Sequence, residues 1–230
     1  MASSPADLLA RRVAPSAVIA LSRVAWPARL GAAARRRLGR RGRVELFFAF
    51  DDPCSAIAVI DLAQRLRGRD VRLLLMPVVR RGIKDDPAVD LKRRYAIDDA
   101  RRLGRRTGLE LTRREPLPAQ DVAFLAEWVA AASQGPALAR FCVAALRRLW
   151  LESAGPVERA GYGALWREQL GGRPPGRGGA RAVRRNERLM RRRRPYDTPA
   201  AWVHGQWFFA HDRLAQIAAR LDELGWTASP

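Results

Sequence analysis

The sequence predicts an α/β protein in which a βαβ unit and a closing ββα unit flank an all-helical insertion. Three stretches predict it. Val44 to Phe50 is a continuous apolar and aromatic run broken only by Glu45, the pattern of a strand buried on both faces, and it ends in Asp51-Asp52-Pro53. Val71 to Met76, closed by Pro77, is a second mainly apolar run that follows after one short helical tract. Pro199 to Val203, His204-Gly205-Gln206 and Trp207 to Ala210 read as strand, tight turn and returning strand.

Each element then has its own signal. Residues 1–42 form a basic N-terminal segment in which ten arginines by Arg43 face the single acid Asp7. Its longest apolar run, Ala17 to Leu21, is far short of the ~20 residues of a membrane span, and no secretory signal pattern is present. Leu8, Leu9, Val13, Ala17, Leu21 and Val24 recur at loose helical spacing despite Pro15. The segment suits a basic amphipathic helix on an anionic membrane, a transit peptide, or a partly disordered tail. After the first strand, Asp52 stands where an N-cap belongs and Pro53 at the first helical position, with Ile57, Val59, Ile60, Leu62, Ala63 and Leu66 as the apolar face. The second strand follows closely, so the pair is parallel.

Residues 80–90 are a polar loop, and Asp90 to about Thr107 reads as a helix. From Ala119 to Leu170 the pattern is helical throughout, with Gly135-Pro136 and Gly155-Pro156 as breaks. The insertion therefore occupies about residues 88–170 of a domain spanning 43–226. A Gly/Pro/Arg linker follows at 171–179, and then a strongly basic helix around Val183, Leu189 and Met190, read as a solvated face or a polyanion contact. His211-Asp212-Arg213 opens the last helix, whose inner face is Leu214, Ile217, Ala218, Leu221 and Leu224.

Composition narrows the function classes. The 230 residues carry 43 basic against 23 acidic side chains, a net charge of +20. Lys84 and Lys92 are the only lysines, so nearly all of the positive charge is arginine. That suits a polyanionic partner, or a coding bias whose charge is simply solvated. Cys54 and Cys142 form neither a CxxC nor a metal-ligand spacing, and two histidines exclude a histidine-rich metal site. Unpaired cysteines fit a reducing, cytoplasmic compartment. Cys142 lies on an apolar helical stripe and reads as core.

The order βαβ, helices, ββα is that of the thioredoxin-like fold with a helical insertion. Within it, the chain resembles the DsbA-like domains and, among them, the branch of 2-hydroxychromene-2-carboxylate isomerases and kappa-class glutathione transferases. Val44-Glu45-Leu46-Phe47-Phe48 with Asp52-Pro53-Cys54-Ser55 is similar to that branch's first strand and Ser-Pro-Tyr-Ser turn. Lys92-Arg-Arg-Tyr95 with Asp99 is similar to its Lys-x-x-Tyr-x-x-x-Asp helix. Thr198-Pro199, then Val203-His204-Gly205 and Phe209-Ala210-His211-Asp212-Arg213-Leu214, is similar to its C-terminal end.

The resemblance implies a glutathione site and an isomerase or oxidoreductase activity. Pro199 would be the cis-proline, and Thr198 would offer its backbone to the cysteinyl part of the tripeptide. His211 and Asp212 would bind the γ-glutamyl end, and Lys92 a carboxylate. The expected partners are a small-molecule substrate with glutathione, a peripheral membrane or polyanion contact through the Arg-rich segments, and a second copy of the chain as a homodimer. No metal is expected.

The chain departs from the branch at its centre. Asp52 stands at the position of the serine, or attacking cysteine, that handles the thiol, and Ser55 stands at the position of the resolving cysteine. Dithiol–disulfide exchange is thereby excluded. A carboxylate at that point repels a thiolate, so Asp52 works either protonated or as a general base, and Asp52 and Ser55 are the candidate catalytic residues. Asp-Pro is equally suited to a plain helix cap. The alternative function is a non-catalytic binding protein of the same fold that uses its arginine-rich surfaces.

Overall fold

The structure, a computed structural model, describes residues 26–193 and 195–228. The amphipathic stretch read between Leu8 and Val24 lies outside the described residues. The described chain runs α1 (Trp26–Arg37), β1 (Gly42–Phe48), α2 (Pro53–Arg65), β2 (Val71–Pro77), α3 (Val89–Arg106), α4 (Ala119–Ala131) and α5 (Pro136–Arg147). It continues with a π-helical turn at Arg148–Glu152, α6 (Arg159–Leu170), α7 (Gly179–Arg192), β3 (Ala200–Val203), β4 (Gln206–Phe209) and α8 (Leu214–Glu223).

The four strands form one sheet in the order β2-β1-β3-β4. β1 pairs in parallel with β2, with Val44 opposite Leu73 and Leu46 opposite Leu75, and antiparallel with β3. β3 and β4 form the closing hairpin around His204-Gly205. This is the βαβ…ββα arrangement of the thioredoxin-like fold, with helices inserted between β2 and β3.

Side-chain alternation along β1 explains why the run is apolar throughout. Val44, Leu46 and Phe48 join the large core formed with α2, the insertion helices and α8, whereas Phe47 and Ala49 point to the opposite face with Val78 and Met190. That second face is covered by α7. The basic helix is therefore a packing element as well as a charged one: Met190 and Leu189 meet the sheet while Arg181, Arg184, Arg185 and Arg188 face outward. Strand β1 ends two residues before the apolar run does. The Ala49 carbonyl accepts from the Asp52 amide, which turns the chain, yet Phe50 stays buried against Phe48 at a centroid distance of 5.2 Å.

The insertion is tied to that turn. Trp150, fully buried in the π-helical turn, donates from its indole Nε1 to the Phe50 carbonyl at 2.9 Å. Buried Arg113 holds the same turn, donating to the Leu149 carbonyl at 2.8 Å and the Gly155 carbonyl at 2.6 Å. Helix α1 packs beside β1 and the residues that follow α8: Ala32 is buried, and Arg36 lies over the Trp226 ring at 5.8 Å and donates to the Leu224 carbonyl. The last helix starts at Leu214, so His211 and Asp212 lie in the turn before it and not in its first turn.

Trp150→Ala removes a large buried ring and leaves the Phe50 carbonyl without its donor. We expect a loss of about 3–5 kcal/mol in denaturant unfolding, against a small effect for the exposed Arg148→Ala.

Candidate functional site at the β1–α2 turn

Asp52 is the N-cap of α2. Its backbone is extended, its Oδ1 accepts from the Cys54 amide at 3.1 Å, and Pro53 removes one of the amides a helix start must otherwise satisfy. Its second oxygen has two further donors. Oδ2 accepts from the Ser55 hydroxyl at 2.5 Å and from the Thr198 hydroxyl at 3.2 Å. Ser55 is oriented for this role because its Oγ also accepts from the Ala49 amide at 3.1 Å, which commits its proton to Asp52. Thr198 comes from the loop before β3, and its peptide bond to Pro199 is cis. The turn and the β3 loop thus meet on one carboxyl oxygen.

That carboxyl is 6% exposed. Burial pushes its pKa above the ordinary carboxylate value. The Arg81 guanidinium and the Ser55 hydrogen bond pull the other way, and Asp51 and Asp197 add to the rise. Arg81 donates to both oxygens of buried Asp51, at 2.8 and 3.0 Å, and its Nε lies 3.7 Å from Asp197. The loop carrying Arg81 is held from below: buried Glu187 on α7 accepts from the Val79 and Arg80 amides at 3.3 and 2.9 Å. Gly82 then donates to the Tyr196 carbonyl at 2.7 Å and joins this loop to the Thr198 loop.

Arg81, Asp51, Asp197 and Glu187 were not singled out by the sequence reading. Residues 80–90 read only as a polar loop; a signal that could have drawn attention to them is their place after the C-terminal end of β2, where open α/β sheets gather functional side chains. The expected residues divide. Asp52, Ser55, Thr198 and Pro199 come together. Lys92 does not turn inward: it is well exposed and bonds Asp86, which lowers the pKa of that carboxyl. Thr198 presents its hydroxyl to the site, while its amide is taken by the Asp197 carboxylate at 2.8 Å. His211 is half-buried, with Nδ1 shielded and without a partner among the described residues, and Asp212 pairs with Arg213 at 3.6 Å.

Cys54 is buried beside this cluster, its Sγ 3.8 Å from the Ala96 carbonyl. Burial first, and then the charges of Asp52, Asp99, Asp197 and Asp212, push its thiol well above the ordinary range. The sulfur is held protonated. Cys142 is buried in the core and raised by the same cause.

The sheet order and the helical insertion define a thioredoxin-like fold, with Asp52 at the turn between β1 and α2. Among solved structures, the chain is similar to 2-hydroxychromene-2-carboxylate isomerase, with a TM-score of 0.58 and 17% sequence identity over 79% of this chain and 95% of that one. At that identity the likeness concerns the fold. No family model and no curated protein sequence matches the chain.

Two outcomes follow from the charge arrangement. Arg81→Met leaves Asp51 buried without its cation and should cost about 3–5 kcal/mol in chemical unfolding. The raised pKa of Asp52 fixes the sign of a pH effect. A protonated Asp52 favours the folded state fully below the unfolded carboxyl pKa of about 3.9, and this contribution is lost as pH rises through the higher folded value. Wild type should therefore lose stability relative to Asp52→Asn as pH rises above about 4, read as the difference of their melting temperatures across the series.

Proposed function

We propose that the chain is an acid–base isomerase of the thioredoxin fold, with Asp52 as the proton-transfer group. The observation that carries this reading is the carboxyl of Asp52, buried and raised in pKa, touching a hydroxyl on the half-buried Thr198. When Oδ2 carries the proton, the Thr198 hydroxyl turns from donor to acceptor toward it, takes that proton, and passes its own to a substrate held beside it. The reverse sequence recovers a proton from another atom of the same molecule, and the enzyme ends unchanged. Ser55 orients the carboxyl, and Arg81 limits how far its pKa climbs.

Glutathione is the proposed thiol ligand in this reading, held as the neutral thiol. Asp99, Asp197 and Asp212, whose charges help to raise the neighbouring Cys54 thiol, oppose a thiolate at this turn. Dithiol redox chemistry has no second thiol here, since Ser55 is a hydroxyl committed to Asp52.

A second reading, a non-catalytic binding protein, is favoured by one observation: Asp52 has donors for both oxygens within the protein and serves α2 as an ordinary cap. The two readings part in one experiment. Isomerisation of 2-hydroxychromene-2-carboxylate, the compound named for the similar structure, is followed by absorbance with wild type, Asp52→Asn and Thr198→Val, with and without glutathione. The enzyme reading expects turnover in wild type that falls by about 100-fold or more in Asp52→Asn, the usual worth of a positioned acid–base group, with a folded variant. Turnover unchanged in Asp52→Asn, or none in wild type, would contradict it.

A further inference from the structure

A cavity of about 850 Å³ lies away from Asp52, at the opposite end of α2. Helix α2 begins at the Asp52 turn and contributes Ala63, Leu66 and Arg67 to this cavity, about 15 Å further along its axis. The other walls are the N-terminal half of β2 and the outer face of α5. The floor is apolar, with Leu66, Val71, Leu73, Ala139 and Val143.

One wall is a free strand edge. β2 is the outermost strand on its side of the sheet. In a parallel ladder the amide and carbonyl of alternate residues point to the same side. Leu75 shows which residues point outward from β1: its amide donates to Gln134 Oε1 at 2.9 Å and its carbonyl accepts from Gln134 Nε2 at 2.8 Å. Gln134 here imitates a neighbouring strand. Two residues on, Pro77 offers no amide, and its carbonyl accepts from Asn186 at 3.0 Å. The upper edge is thus closed by side chains, the usual protection of an exposed edge. Two residues back, Leu73 points the same way into the cavity, and among the described residues neither a side chain nor a loop takes its amide or carbonyl.

The second feature is charge. Arg41, Arg67, Arg72, Arg140 and Arg147 surround the opening, and no acidic residue lines it. Arg41 is neutralised by Asp70 at 2.9 Å, and Arg140 bonds only the neutral amide of Gln169 at 3.4 Å. Arg67, Arg72 and Arg147 have no ion-pair partner among the described residues. Their mutual repulsion is relieved by an anionic occupant. The chain itself is a poor one: residues 1–25 carry three arginines against one acid, and a second copy brings the same charge of +20.

We propose that this groove binds an extended acidic peptide segment of a partner protein, which pairs as a strand with β2 at Leu73, between the Val71 amide, taken by the Arg69 carbonyl at 2.7 Å, and the Gln134 clasp on Leu75. Main-chain hydrogen bonds to Leu73 supply register, alternate apolar side chains settle on the floor, and the acidic side chains between them meet Arg67, Arg72 and Arg147.

The test uses the full chain and a fluorescein-labelled peptide of roughly eight alternating Glu and Val residues, by fluorescence anisotropy at about 150 mM salt. Saturable binding is expected, weakened at least about tenfold in Arg67→Glu/Arg147→Glu, two surface changes that leave the melting temperature in place. A strand uses one edge only. N-methylation of all the Val amides or of all the Glu amides should therefore abolish binding for one set and leave the other within a few-fold of the parent. Four results would overturn the proposal: no binding, binding indifferent to the double variant, N-methylated peptides that both bind like the parent or both fail, or an oligothymidine that binds as tightly with the same dependence on Arg67 and Arg147.

Discussion

A carboxyl group buried at the end of the central strand has to be met from every side, and much of the molecule is arranged to do so. Asp52 takes a backbone amide from its own helix, a hydroxyl one turn along it, and a second hydroxyl from the loop that leads into β3. An unsatisfied buried carboxylate would cost several kcal/mol, more than the margin of a typical domain can absorb at two or three sites. The fold answers with hydrogen bonds, and with a shift of the group toward its neutral form. The proposed proton transfer draws on that shift.

The support extends outward in layers. Arg81 balances Asp51 and Asp197 beside the carboxyl, Glu187 fixes the loop on which Arg81 stands, and α7 brings Glu187 to the sheet by packing Met190 and Leu189 over its second face. Trp150 fastens the helical insertion to Phe50, immediately before the turn. The insertion, the sheet and the basic helix therefore converge on the same few residues. The arginine-lined cavity takes no part in this. It sits at the far end of α2, beside the β2 edge at Leu73, next to the positions that Gln134 and Asn186 close.

The fold was legible in the sequence because its signals are local and periodic. The Val44–Phe50 run, Asp52-Pro53 at a helix start and the His204-Gly205 turn each fix an element without reference to distant residues. The Asp52–Ser55 pair was legible for the same reason, being three residues apart at a helix start. Arg81 was not, because a single arginine in a chain with so many carries no contrast, and its partners Asp51 and Asp197 are far apart in sequence. Lys92 was expected, on resemblance, to meet a ligand carboxylate; in the structure it is exposed and paired with Asp86, in the loop just before its helix. Thr198 was expected to act through its backbone, and the neighbouring Asp197 side chain occupies that amide. Short-range side-chain chemistry of this kind follows from the loop conformation, which spacing does not encode.

The proposed acid–base role of Asp52 depends on the protonation of this one side chain. Its most direct measurement is a pH titration of the Asp52 carboxyl carbon by NMR in the full-length protein, assigned with Asp52→Asn. The account predicts a midpoint above the ordinary value of about 3.9, moving higher still when Arg81 is replaced by Met. A midpoint at or below the ordinary value would show Asp52 to be an ionised helix cap, and would contradict its role as an acid–base group.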